Sequence, residues 1–160
     1  MKQIWAPWRM DYILGNKSQK CIFCHPARTK HNKKKLLLSQ GEFSLVMLNR
    51  YPYTNCHLLI APRKHTNALD RLSAEESLNL FTTLSKSVNA LNKSIKPEGF
   101  NIGMNLGRIA GAGVKDHLHF HIVPRWNGDT NFMPILAESV VVPEHLEKAY
   151  DKLLPFFEKL

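Results

Sequence analysis

The sequence predicts an α+β domain built on an antiparallel sheet, and three observations lead to this class. Short apolar runs separated by turn residues indicate a β-hairpin, one long amphipathic helix follows it, and further strand patterns come after the helix. With 160 residues and 44% hydrophobic composition, the chain is long enough for one domain with a real core. We expect a single domain over 1–160, with an N-terminal arm over 1–35, a core carrying the chemistry over 36–135, and a C-terminal strand and helix over 136–160.

The N-terminal arm has no regular pattern of apolar residues, yet Trp5, Trp8 and Tyr12 make it more apolar than a disordered tail usually is. We expect it to pack on the body of the domain or on a second subunit. Cys21 and Cys24 form a CxxC pair in this arm. In a reducing compartment such a pair favours metal binding or redox chemistry over a disulfide framework, but two thiolates are only half of a zinc site.

The first elements after the arm are two short strands, Phe43–Leu48 and His57–Ala61, which are joined by a turn and form a hairpin. A long helix follows, because Ser73 and Glu76 fit a capping box and apolar residues then recur at spacings of three and four. Those residues are Leu78, Phe81, Leu84, Val88, Leu91 and Ile95. The helix is expected to end before Pro97.

The chain after the helix alternates between apolar and polar residues over Phe100–Leu106, which predicts a strand. A glycine-rich connection, Gly107–Gly113, leads to a segment with three histidines. A last short strand, Ser139–Val142, and a helix from about Glu144 complete the predicted elements.

The segment DHLHFHIVPRW, Asp116–Trp126, places histidines at every second position: His117, His119 and His121. On a strand, alternate side chains point to opposite faces, so the three imidazoles would share one face about 7 Å apart. The intervening residues, which would enter the core, are Leu118, Phe120 and Ile122. Three imidazoles in register indicate a function. Either they hold a catalytic zinc, as in a metallohydrolase, or one of them attacks phosphorus and forms a covalent intermediate.

Several motifs in the right order resemble the histidine triad (HIT) family. His117–Val123 is similar to the family's His-x-His-x-His followed by apolar residues. Asn49–Pro52 and Cys56–His65 are similar to its Asn-x-x-Pro, Gly-His and Pro-x-x-His patterns. Gly111–Gly113 and Trp126–Pro134 resemble the bacterial branch that acts on diadenosine tetraphosphate, often as a phosphorylase.

The resemblance implies a HIT fold, with a five-stranded antiparallel sheet, one long helix and one C-terminal helix. It also implies a homodimer in which two sheets join into one ten-stranded sheet. The implied activity is phosphorolysis of diadenosine tetraphosphate to ADP and ATP through a nucleotidyl-histidine, with orthophosphate as the acceptor. A diadenosine polyphosphate hydrolase and a nucleoside phosphoramidase are the alternative enzymes, and a nucleotide-binding regulator with negligible turnover is the alternative of another class.

The resemblance also assigns roles to individual histidines. His119 would be the nucleophile on the α-phosphorus, while His121 and His57 would contact phosphate oxygens and assist the leaving group. The carbonyl of His117 would accept a hydrogen bond from Nδ1 of His119 and so leave Nε2 free to attack. This arrangement is chemically reasonable in itself, because a neutral imidazole nucleophile needs its second nitrogen held as a donor.

Substrate contacts are implied at Asn49 for a ribose, at Asn105 near the phosphates, and at Trp126. The glycines of the connection, Gly111 and Gly113, would let backbone N–H groups approach phosphate. Hydrolytic members of the family commonly carry a glutamine at the position of Gly113, and we expect its loss to favour orthophosphate over water.

The resemblance completes the half zinc site of the CxxC pair with two histidines. The implied ligands are Cys21, Cys24, His65 and His117, and a closed set of four makes the zinc structural. No organic cofactor is expected. The family's usual glycine before His57 is Cys56 here, which we interpret as a small buried thiol.

The formal net charge of +9 would attract nucleic acid, acidic lipid or small polyphosphates, and the charge alone does not choose among them. We interpret the basic run Lys30–Lys35 as a solvated loop, and nucleic acid is not expected as a partner. No apolar run is long enough to span a membrane and no signal-peptide core is present, so a cytoplasmic location without membrane attachment is expected.

Overall fold

A computed structural model of the protein describes residues 21–24, 30–129 and 144–158. Within these ranges the strands are β1 (Leu37–Gln40), β2 (Ser44–Leu48), β3 (Leu58–Pro62), β4 (Gly99–Met104) and β5 (Phe120–Arg125). The α-helices are α1 (Ala74–Ile95) and α2 (Leu146–Phe157), and two short 3-10 helices cover Lys33–Lys35 and Leu69–Arg71. The predicted α+β class with one long helix and one C-terminal helix is confirmed.

The five strands form one antiparallel sheet in the order β1-β2-β3-β5-β4. Strand β5 therefore lies between β3 and β4, where it pairs Leu59 with His121 and Met104 with Phe120. The segment with three histidines is thus brought beside the residue that precedes β3, His57. Strand β4 forms one edge of the sheet.

The two faces of the sheet have different coverings. Both helices pack on one face, over a core that includes Val46, Leu58, Ile60 and Ile122. The opposite face carries a smaller apolar cluster of Phe23, Leu37, Leu45, Met47, Leu59 and Ala61. Directly paired residues share a face, so His121 lies on the side of Leu59, away from the helices. Phe120 and Ile122 face the helices, as their alternation with the histidines predicted.

Helix α1 begins with the predicted capping box. Ser73 Oγ accepts from the backbone N–H of Glu76 at 3.1 Å, and the Glu76 carboxylate accepts from the N–H of Ser73 at 2.8 Å. The helix ends at Ile95, because Lys96 adopts a left-handed conformation with φ of 46°. This is the predicted end, immediately before Pro97.

The apolar pattern of α1 misplaces part of its buried face. Leu78 and Phe81 are exposed, and Leu80, which the pattern did not include, is buried, whereas Leu91 is buried as predicted. The buried face also contains Ser87, whose hydroxyl donates to the Thr83 carbonyl at 2.7 Å. A buried polar residue of this kind is not detected by a search for apolar periodicity.

Strand bounds differ from the prediction in three places. Strand β1 was not predicted, because it is only four residues long and lies close after the lysine run. Strand β4 ends at Met104, and β5 begins only at Phe120, so His117 and His119 lie in the irregular segment before the strand. The predicted strand Ser139–Val142 and the arm before Cys21 lie outside the described residues. Among the described helices, none is long and apolar enough to cross a membrane.

We predict that Leu80→Ala lowers the free energy of unfolding by about 2–5 kcal/mol, because Leu80 is 1% exposed and its truncation leaves a cavity. Leu78, two residues earlier and 70% exposed, is the matched control. Leu78→Ala should change the free energy by about 0.5 kcal/mol or less. Urea unfolding followed by circular dichroism measures both, and equal losses would contradict this assignment of the helix faces.

Candidate active site

Four imidazoles form a row on the face of the sheet away from the helices. The rings of His119 and His121 lie 5.0 Å apart, and those of His121 and His57 lie 5.1 Å apart. His117 precedes His119 by two residues and completes the row. We call His117, His119, His121 and His57 the imidazole row.

The ring of His119 has its orientation set by the backbone. Its Nδ1 lies 2.8 Å from the carbonyl oxygen of His117. A carbonyl can only accept, so Nδ1 carries the proton and Nε2 carries a lone pair. No described residue provides a hydrogen-bond partner for this Nε2. The side chain is 3% exposed and lies beside the ring of Phe23, with the ring centres 5.1 Å apart.

One backbone N–H determines the tautomer of His57, and His57 in turn determines the tautomer of His121. The N–H of Tyr53 donates to Nδ1 of His57 at 3.2 Å, so the proton of the neutral His57 ring is on Nε2. That Nε2 lies 2.9 Å from Nδ1 of His121, which must therefore accept. The proton of His121 is then on its Nε2, a buried atom for which none of the described residues is a hydrogen-bond partner. The row presents a lone pair at His119 and an N–H donor at His121.

The local environment keeps these rings uncharged. Burial, followed by the neighbouring His121 and His119, lowers the pKa of His57 to about 3. Burial and then His119 lower the pKa of His121 to about 4. At neutral pH both rings are therefore neutral, as the hydrogen-bonded tautomers require.

The turn before β3 holds His57 in place. The Asn49 side chain accepts from the N–H of Tyr51 at 3.0 Å and donates to Nδ1 of His57 at 3.2 Å. Cys56 has φ of 58°, a left-handed conformation that glycine adopts most easily, which explains why glycine is usual at this position. Burial raises the pKa of the Cys56 thiol to about 12, in keeping with its interpretation as an inert buried thiol.

A second cluster lies at the His117 end of the row. Cys21, Cys24, His65 and His117 each offer one ligand atom, and these atoms all lie within 4.8 Å of one another. Cys24 Sγ is 3.0 Å from His65 Nδ1, and the two Nδ1 atoms are 3.3 Å apart. A tetrahedral zinc site requires ligand separations of roughly 3.3–3.8 Å. This cluster can therefore hold a metal ion, with the four residues that the resemblance implied.

The protonation of the cluster also suits a metal. Nε2 of His117 lies 2.7 Å from the carbonyl oxygen of Pro62, so Nε2 carries the proton and Nδ1 faces the cysteines as a ligand. Burial is the main cause that lowers the pKa of His117. The pKa of Cys24 is raised to about 11 by burial and then by Cys21, so thiolate formation here needs a cation.

The triad itself does not form a metal site with three imidazole ligands. Within the described ranges, the ligand atoms that converge belong to the cysteine–histidine cluster, which includes His117 but neither His119 nor His121. Nδ1 of His119 and Nδ1 of His121 are both used in hydrogen bonds. The geometry thus favours a nucleophilic imidazole over the metallohydrolase alternative.

The predicted substrate-contacting residues lie in two places. The β4–β5 register puts Asn105 at the end of the sheet where His119 lies, and its amide is 3.5 Å from the Gly111 carbonyl. Gly113 has open space where a side chain would be. Trp126 follows the opposite end of β5, roughly 20 Å from His119 at the rise of a strand. The structure therefore brings Asn105 towards His119 but does not bring Trp126 there within one subunit.

Sequence analysis missed three residues that contact the imidazole row, two through aromatic rings and one through a backbone carbonyl. Phe23 covers His117 and His119, with both pairs of ring centres 5.1 Å apart. Tyr53 covers the His57 and His121 rings, and the carbonyl of Pro62 orients His117. An aromatic residue inside a turn and another inside CxxC were the available signals, because such positions usually carry polar residues.

Comparison with known proteins gives a consistent result. A family model described as the HIT domain matches residues 30–128. An AP-4-A phosphorylase of Mycobacterium tuberculosis is 33% identical over 154 residues, covering 91% of this chain and 79% of that protein. An adenosine 5'-monophosphoramidase of Schizosaccharomyces pombe is 35% identical over 107 residues, covering 67% of this chain and 75% of that protein. A zinc-bound histidine triad family protein of Mycobacterium smegmatis superposes with a TM-score of 0.66 at 26% identity, covering 89% of this chain and 96% of that chain.

We predict that the free energy of unfolding falls as the pH is lowered from 6.5 to 4. In this window unfolded histidines take up protons, whereas folded His57 and His121 do not, so acid favours unfolding. In this window each ring should lower the free energy of unfolding by about 1.4 kcal/mol for every unit that the pH falls. His57→Asn keeps an oxygen, Oδ1, that can accept from the N–H of Tyr53. This variant should show a weaker dependence of the free energy of unfolding on pH, measured by urea titration at each pH. His145→Asn, at an exposed position, should keep the wild-type dependence, and equal slopes for all three proteins would contradict the prediction.

Proposed function

The chain belongs to the HIT domain family, and on that premise we propose that it splits diadenosine tetraphosphate by phosphorolysis, giving ADP and ATP. The observation that carries the proposal is the 2.8 Å hydrogen bond from Nδ1 of His119 to the His117 carbonyl, which leaves Nε2 as a nucleophile. The relative named as an AP-4-A phosphorylase supports this substrate. The relative named as a phosphoramidase makes nucleoside phosphoramidates the second candidate substrates.

The first step is attack of His119 Nε2 on an α-phosphorus. A nitrogen–phosphorus bond forms, the bond to the bridging oxygen breaks, and ATP leaves. The His117 carbonyl stabilises the positive charge that develops on the imidazole, because it holds the Nδ1 proton. The Nε2–H of His121, which has no partner among the described residues, donates to a phosphate oxygen, and His57 keeps His121 in the required tautomer.

The second step returns the adenylyl group to an acceptor. An oxygen of orthophosphate attacks phosphorus and the nitrogen–phosphorus bond breaks. ADP then leaves, and His119 is regenerated. The open space at Gly113 supports this acceptor, because no side-chain amide from that position positions a water molecule. The positive net charge of the chain favours binding of two polyanions.

A dimer through strand β4 accounts for Trp126. Strand β4 is an edge strand without a buried residue, and Ile102 on it is 45% exposed. Antiparallel pairing of two β4 strands about a two-fold axis would join the sheets into one of ten strands. It would also set Gly99 of a second copy beside Asn105, so that Trp126 of that copy approaches the His119 end.

The metal at the cysteine–histidine cluster is proposed to be a structural zinc. Sγ of Cys21 and Cys24 and Nδ1 of His65 and His117 would hold it. Four protein ligands leave no open position for water, so the ion would tie the CxxC segment to the segments around β3 and β5. His117 then presents its carbonyl to His119 from a fixed position.

The proposal predicts equal amounts of ADP and ATP from diadenosine tetraphosphate when orthophosphate is supplied. With ¹⁸O-labelled orthophosphate, mass spectrometry should find the label in the β-phosphate of ADP. His119→Ala should lower turnover by several orders of magnitude while nucleotide binding persists, because only the nucleophile is lost. His145→Ala changes an exposed histidine far along the chain and should leave turnover unchanged.

Each alternative gives a different result in the same assay. AMP and ATP as products, whatever the orthophosphate concentration, would identify a hydrolase. Turnover of adenosine 5'-phosphoramidate with none of diadenosine tetraphosphate would identify a phosphoramidase. Binding of diadenosine tetraphosphate by a wild type that turns over none of these substrates would identify a regulator.

For the metal we predict that purified protein contains about one zinc per chain, measured by elemental mass spectrometry. Cys24→Ser should lose the metal and lower the melting temperature, because the ion links three segments. Cys56→Ala removes a cysteine outside the cluster and should retain the metal. Full metal content in Cys24→Ser would contradict the assignment of the ligands.

A further inference from the structure

The two ends of the imidazole row are covered by different aromatic rings. Phe23 covers His117 and His119 and is itself buried at 3% exposure. At the other end, the Tyr53 ring lies over His57 and His121 but Tyr53 is 53% exposed. A molecule that reaches the row from solvent therefore meets Tyr53 at the accessible end.

The Tyr53 ring is held against the imidazoles in a stacked arrangement. Its centre lies 4.7 Å from that of His57 and 5.9 Å from that of His121, and it is inclined by only 10° to the His121 ring. The turn is fixed by the N–H of Tyr53 on His57 and by Thr54 Oγ1 on the Pro124 carbonyl at 2.9 Å. One side of the ring faces the imidazoles, and the residue as a whole stays half-exposed, so it is accessible to a second planar group.

In-line displacement by Nε2 of His119 requires the departing phosphates to leave on the side opposite that ring. The Nε2–H of His121 is the ring N–H of the row that has no partner among the described residues, so it is available to the departing phosphates. Tyr53 is the next ring beyond His121, because the His121 ring contacts both the His119 ring and the Tyr53 ring. The ring centres of His119 and Tyr53 can be no farther apart than the two steps between them, which are 5.0 Å from His119 to His121 and 5.9 Å from His121 to Tyr53. A short phosphate chain can cross this distance.

We propose that Tyr53 determines specificity for dinucleoside over mononucleoside polyphosphates by stacking the nucleobase of the leaving nucleotide on its exposed side. The inference rests on the proposed function, since it names the part of the substrate that leaves. Stacking of a base on an aromatic ring tolerates any base, so Tyr53 selects for the presence of a second nucleoside and not for its identity. The ring is already ordered by the turn, so binding a base costs little additional ordering.

The test compares diadenosine tetraphosphate with adenosine 5'-tetraphosphate, which has the same phosphate chain but no second nucleoside. With orthophosphate as acceptor, the wild type should show kcat/KM roughly tenfold higher for the dinucleotide. Tyr53→Phe keeps the ring and should keep this ratio. Tyr53→Leu and Tyr53→Met lack an aromatic ring and should lower the ratio to about one.

Both classes of variant lack the hydroxyl, so their difference isolates the ring. Turnover of adenosine tetraphosphate reports the integrity of the imidazole row in each variant, because any disturbance of His57 or His121 affects both substrates and cancels in the ratio. Equal losses on both substrates in Tyr53→Leu would mean that the ring acts only through the imidazoles, which overturns the inference. A wild type without preference also overturns it, whereas a wild type that cleaves neither substrate removes the proposed function itself.

Discussion

Hydrogen bonds from backbone groups to imidazoles are the constraint on which the site depends. The carbonyl of Pro62 fixes His117, the carbonyl of His117 fixes His119, and the N–H of Tyr53 fixes His57. A carbonyl cannot donate and an N–H cannot accept, so these contacts allow only one neutral tautomer at each ring. The fold thereby gives chemically equivalent histidines different exposed atoms: a lone pair facing the cysteines at His117, a lone pair on Nε2 at His119 and an N–H on Nε2 at His121.

His117 connects the two clusters, because its side chain and its backbone serve different ones. Its Nδ1 lies 3.3 Å from Cys21 Sγ and the same distance from His65 Nδ1, while its carbonyl holds Nδ1 of His119. A displacement of this one residue would affect the geometry of the cysteine–histidine cluster and the orientation of the His119 ring together. Under the proposed function, a metal bound at the cluster would influence the chemistry through position alone.

Sequence analysis predicted the parts of this structure that have a local cause. The capping box of Ser73 and the alternation of Phe120 and Ile122 with histidines depend on neighbours in the chain, and both are found. The burial of Leu80 and Ser87 depends on tertiary packing, which apolar periodicity does not detect, and Leu78 was wrongly placed on the buried face. The four-residue cluster came from resemblance, since Cys24 and His65 are separated by 41 residues. Asn49 was expected to bind a ribose, a role that stays a prediction, and its amide bonds His57 in the structure.

The most direct test is the protonation of the imidazole nitrogens at neutral pH, measured by long-range ¹H–¹⁵N correlation NMR on ¹⁵N-histidine-labelled protein. The account predicts a proton on Nδ1 and a bare Nε2 at His119, with the opposite tautomer at His57, His117 and His121. Assignment by single His→Gln variants identifies each ring. A proton on Nε2 of His119 would contradict the account, because that nitrogen could then no longer attack phosphorus.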